Sequence, residues 1–106
     1  MIKVVYDRKH YTVTINGHAG SAEVGHDLIC ASASILAYTL AENVMNAKEA
    51  GYLRSGTAQL VPGDSEIRCL PRSRYKMTMM LVFDSICAGF ELLAQNHPEN
   101  ISYELK

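Results

Sequence analysis

No sign of charge dominates this 106-residue chain, in which ten Lys and Arg stand against eleven Asp and Glu for a formal charge of -1. The cations are scattered, so there is no basic stripe of the kind that neutralises a phosphate backbone, and direct nucleic-acid binding is not expected. Long apolar runs are missing as well. The opening stretch Met1-Ile2-Lys3-Val4-Val5 turns polar too soon for a signal peptide, and no window is expected to approach a membrane span. The expected location is the cytoplasm, with no membrane partner. Cysteine is scarce and odd in number: Cys30, Cys69 and Cys87 lie far apart, with no CxxC and no paired zinc-ribbon spacing. That argues against a disulfide framework and leaves each cysteine to be explained singly, as a small buried residue or as a reactive thiol. Internal repeats, low-complexity tracts and interdomain linkers are also absent.

What is present is an ordinary globular composition, 48% apolar and 20% charged, in a length that suits one core. The whole chain, residues 1–106, is therefore expected to form a single domain. Residues 2–6 and 11–15 are rich in Val, Ile, Tyr and Thr, and Tyr11, Val13 and Ile15 alternate with Thr12 and Thr14, the period of a half-buried strand. The polar stretch 7–10 makes them a hairpin. Residues 16–25 hold three glycines and no sustained period, so they form a loop.

From Asp27 onward Ile29, Ala33, Leu36, Leu40 and Val44 recur at steps of three or four, predicting a helix that runs to about Ala50 and stops at Gly51. Residues 57–61 and 65–70 are strand candidates joined by Pro62-Gly63-Asp64, a second hairpin. A second helix is predicted over 73–96, with Met79, Met80, Phe83, Cys87, Phe90, Leu93 and Ala94 on one side and Pro98 enforcing its end. Residues 101–105 alternate again. The expected fold is α+β in the order ββαββαβ, two helices packed on a mixed or antiparallel sheet.

Cys30 lies three residues beyond Asp27, itself at a preferred N-cap position where the glycine-rich loop gives way to the helical period. Unpaired N–H groups and the helix dipole favour a thiolate in that first turn, and the thiolate is the nucleophilic form. His18, within Gly17-His18-Ala19-Gly20, stands on a loop able to fold back over the helix start and act as base. Asp27 is the candidate third group, either orienting the base or only capping the helix. Ser34, four residues past Cys30, falls on the same helical face, where it would line a substrate cleft.

Blander readings stand beside these: Cys30 as a buried small residue, His18 as a solvated loop histidine, Ser34 as packing. His18, His26 and Cys30 together would also supply three ligands to zinc, although no fourth ligand is recognisable nearby. Cys69 and Cys87 read as core, His10 and His97 as turn histidines, and Met77, Met79 and Met80 as core or dimer packing.

Gly17-His18-Ala19, Gly25, Asp27, Cys30-Ala31 and Ala33-Ser34, with twelve positions from His18 to Cys30, resemble the pattern of the ribosomal-processing cysteine proteases. The resemblance covers essentially the whole chain, most specifically this motif region. It implies a ββαββαβ domain and a protease that removes an N-terminal extension from the large-subunit ribosomal protein numbered twenty-seven. It also implies that Cys30 is the nucleophile and His18 the catalytic histidine, with Asp27, Gly17 and Ser34 in or around the site. A homodimer with no metal or organic cofactor is implied too. His26, directly before Asp27, is a competing base, and relatives in bacteriophage genomes leave a viral structural protein as an alternative substrate. A non-enzymatic ribosome-assembly protein, with a merely structural Cys30, is the remaining alternative.

Overall fold

The computed structural model describes residues 1–18 and 26–106, with the side chains of His26 and Asp27 outside that description. The rest of the glycine-rich loop, including Ala19, Gly20 and Gly25 of the motif, lies outside the described residues.

The alternating segments become β1 (Ile2–Asp7) and β2 (Thr12–Asn16), linked by a short 3-10 turn, Arg8–His10. They pair antiparallel with Val4 opposite Ile15 and Tyr6 opposite Val13, as the alternation requires. Tyr11, expected to open the second strand, instead takes a left-handed conformation at φ 46°. Its carbonyl accepts from the Cys69 N–H at 3.0 Å, and its ring meets Phe83 edge to face at 6.2 Å, so packing holds an unusual backbone.

The first helical period becomes α1 (His26–Glu49), beginning one residue before Asp27. Asp27 thus falls inside the first turn rather than ahead of it, and Cys30 is the helix's fifth residue. Ile29, Ala33, Leu40 and Val44 are buried as the stripe predicts, and Leu36 is half-buried. The central hairpin is longer than expected, β3 (Leu53–Val61) and β4 (Asp64–Pro71), because strand pairing carries small residues such as Ser55 and Gly56 that lack a strand signature. The second helix starts later, with a 3-10 turn Ser73–Tyr75 leading into α2 (Lys76–Asn96). Met79, Phe83, Cys87 and Phe90 are its buried face, while Met77 is exposed.

β5 (Ile101–Leu105) returns parallel to β1, with Ile2 opposite Ile101. The sheet order is β3-β4-β2-β1-β5, mixed, and both helices pack on the same side. Tyr6, Val13 and Ile67 point from the sheet into a core closed by Leu40, Val44, Phe83 and Phe90. The fold is therefore the α+β arrangement in the order ββαββαβ.

One expectation is corrected. Leu28–Glu49 and Ser73–Asn96, at mean hydropathies of 1.4 and 1.6, are long and apolar enough to cross a membrane by length and composition alone. Their apolarity is two-sided. One face forms the core described above, and a second holds exposed Leu28, Ile35, Tyr38 and Met45 on α1 and Met77, Leu81 and Leu92 on α2.

Candidate active site

Where α1 begins, the end of β2, the start of β1 and the β3–β4 turn converge around a cleft of about 230 Å³. One wall is α1: Cys30, Ser34 and Tyr38 follow one another at four-residue steps, with the small side chains of Ala33 and Ala37 beneath them. The opposite wall is the sheet, through Ile2, Ile15, Leu60 and Val61. Gly17 and His18 form one rim, and Pro62, Gly63 and Ser65 continue it.

Four of the five sequence-derived site residues, Gly17, His18, Cys30 and Ser34, therefore share one cleft. Asp27 is adjacent in the first turn of α1, but its side chain lies outside the described residues, as does that of His26, the competing base. The zinc alternative needs His26 and lies outside them for the same reason.

The chain's three thiols differ sharply. Cys69 and Cys87 are buried, and burial pushes their thiols up to about 11 and about 12. Cys30 is free and only half-buried, and it lines this cleft, whereas the buried Cys87 borders a separate one beside Asp84 and Tyr103. Ser34 is exposed on the helix surface and lines the same opening.

His18 is held from the sheet side. Gly17 has φ 92°, and a Cβ there would collide with the Met1 carbonyl oxygen. The Gly17 N–H donates to the Gly63 carbonyl at 3.0 Å, which fastens the end of β2 to the β3–β4 turn. That turn has Pro62 at its second position and Gly63 at its third, with φ 79° at Gly63, the type II pattern. Among the described residues no hydrogen bond joins His18 to Cys30; the imidazole lies instead against Gly63.

The wall residues Ile2, Ile15, Leu60 and Val61 and the rim residues Pro62 and Gly63 are absent from the sequence-derived site. Their strand and turn signals were plain, but only the β3-β4-β2-β1 order brings them beside Cys30.

The chain matches the family model of the cysteine protease Prp over residues 1–102. It belongs to that family. It is a cysteine protease, and its fold is shared with solved structures. A ribosomal processing protease Prp from Staphylococcus aureus, crystallised with a covalently linked product peptide, superposes with a TM-score of 0.71 at 23% identity over 100% of both chains. The S. aureus protease with a substrate peptide gives 0.69 at 19% identity, over 99% of this chain and 97% of that one. A Streptococcus mutans protein gives 0.60 at 26% identity, over 98% and 90%. No curated protein matches the chain.

Proposed function

We propose that the chain is an endopeptidase that removes the N-terminal extension of the large-subunit ribosomal protein numbered twenty-seven, with Cys30 as nucleophile and His18 as general base. The observation that carries this reading is that the exposed His18 and the half-buried Cys30 line one cleft, while Cys69 and Cys87 are buried with their thiols pushed up. The S. aureus relative, described as a ribosomal processing protease with peptide bound, supports the substrate class. Among the described lining residues there is no lysine or arginine, which suits a peptide better than a phosphate backbone.

Cys30, the fifth residue of α1, directly follows the turn whose N–H groups have no intrahelical partner. Those groups can receive an oxyanion. His18 takes the thiol proton, and the sulfur attacks the peptide carbonyl to form a C–S bond. The C–N bond then breaks, and the leaving amine takes the proton from the imidazolium. Water, deprotonated by His18, attacks the thioester; the acid product leaves and the thiol is restored. Asp27 in the first helical turn is assigned as the orienting third group. Gly17 and Ser34, at the rim and along the α1 wall, contact the peptide. No metal or organic cofactor takes part.

The protein is assigned to the cytoplasm, where a free nucleophilic thiol persists, and to a homodimer. Support for the dimer comes from Ile35 on α1 and Leu81 on α2, which are more than half exposed and lie outside the cleft.

The direct test is cleavage of the ribosomal-protein precursor by the parent and by Cys30→Ala. Loss of cleavage in a folded Cys30→Ala protein is the expected result, and cleavage at the parent rate would refute the mechanism. A phage structural protein offered in parallel resolves the substrate: preferential cleavage of it would refute the ribosomal assignment alone.

A further inference from the structure

The β3–β4 turn carries no chemistry of its own, yet Gly63 at its tip lies against the His18 imidazole. A Cβ placed on Gly63 would stand 2.6 Å from His18 Nε2, 2.8 Å from Cε1 and 3.5 Å from Cδ2. The ring therefore occupies the space that a side chain at position 63 would fill. The Gly63 carbonyl meanwhile accepts from the Gly17 N–H at 3.0 Å, so the residue before His18 is pinned to the same turn.

We infer that Gly63 is a positioning residue for the base: its missing side chain forms the slot that sets the imidazole over the cleft, and its carbonyl fixes the backbone that carries it. This rests on His18 being the base. With Gly17 tied down, the backbone cannot retreat far, so a methyl group in the slot must move the ring itself. A misplacement of about 1 Å at such a group costs on the order of a hundredfold in rate. The loss falls on kcat, since the Ile2, Leu60 and Tyr38 walls are untouched.

Gly63 also has a positive φ, so any substitution strains the backbone whatever happens at the ring. Gly51 separates the two effects. It has φ 84° and nothing within 4 Å of an added Cβ, so it feels the strain without the collision.

The experiment compares the parent, Gly63→Ala, Gly51→Ala and His18→Ala by steady-state cleavage of a precursor peptide, by thermal melting and by the NMR pH titration of the His18 imidazole. Both glycine variants are expected to melt somewhat lower. Only Gly63→Ala is expected to lose kcat, by about a hundredfold with KM little changed, and to shift the His18 titration and chemical shifts. Parent-like kcat and an unmoved His18 titration in folded Gly63→Ala, a faster Gly63→Ala enzyme, or an equal loss in Gly51→Ala would each overturn the inference. Should His18→Ala retain full activity, the base assignment fails instead. The His18 NMR signals of Gly63→Ala then still report whether the slot positions the ring. If Gly63→Ala does not fold, Gly63→Asn, whose residue tolerates positive φ but still fills the slot, is read against Gly51→Asn by the same criteria.

Discussion

The Tyr6 hydroxyl donates to Asp84 Oδ1 at 2.8 Å, joining the far end of the chain's first strand to its second helix across 78 positions of sequence. Arg8 adds a fork onto the same carboxylate, Nε to Oδ1 at 3.1 Å and a terminal nitrogen to Oδ2 at 2.9 Å. These hydrogen bonds, Arg8 first, hold the Asp84 carboxyl below the usual carboxylate range. A depressed folded pKa means that the stabilisation is present above the unfolded value, about 3.9, and is lost as pH falls through the folded value. Asp84→Asn is therefore expected to lower the melting temperature at neutral pH and to flatten its decline below about pH 4. Melting curves from pH 7 to pH 2 check this.

Phe83 stacks on Tyr6 at 5.9 Å and meets Tyr11 edge to face, and it is fully buried. Phe83→Ala removes the plug between sheet and helices at the centre of the core. A loss of about 3–5 kcal/mol is expected, measured by urea unfolding.

The order of elements was legible in the sequence because alternation at Tyr11, Val13 and Ile15 and the 3.6-residue stripe from Ile29 to Val44 are both strong local signals. Burial of Cys69 and Cys87 followed from the same stripes. Strand ends were less legible: β3 reaches back to Leu53 through Ser55 and Gly56, which are held by pairing rather than by propensity, with Arg54 at a register shift between them and Leu53. The tyrosine at position 11 gave no local hint of its left-handed backbone. The site was half legible. His18 and Cys30 announced themselves by residue type and spacing, whereas Gly63 read only as turn chemistry, because its closeness to His18 depends on pairing between strands fifty residues apart. Likewise, helix periodicity showed the buried faces of α1 and α2 but gave no warning of the apolar residues outside them.

Those outer faces carry the dimer proposal. Ile35→Glu with Leu81→Glu, both exposed in the single chain, is expected to give a folded monomer by sedimentation equilibrium, against a dimeric parent. A parent that is itself monomeric at micromolar concentration would remove the proposal.

His18 and His26 are the two candidate bases ahead of Cys30, and substitution separates them. His18→Ala is expected to lower kcat by about a hundredfold to ten-thousandfold, the range of a general base, while His26→Ala stays close to the parent. The reverse pattern would reassign the base.

The most direct measurement of the central claim is the iodoacetamide labelling rate of Cys30 against pH, in the parent and in His18→Ala, followed by mass spectrometry. Cys69 and Cys87, whose thiols burial pushes up to about 11 and about 12, serve as slow internal references. The account predicts rapid labelling of Cys30 at neutral pH that slows when His18 is removed. Labelling as slow as that of the buried cysteines, or a Cys30 rate indifferent to His18, would contradict it.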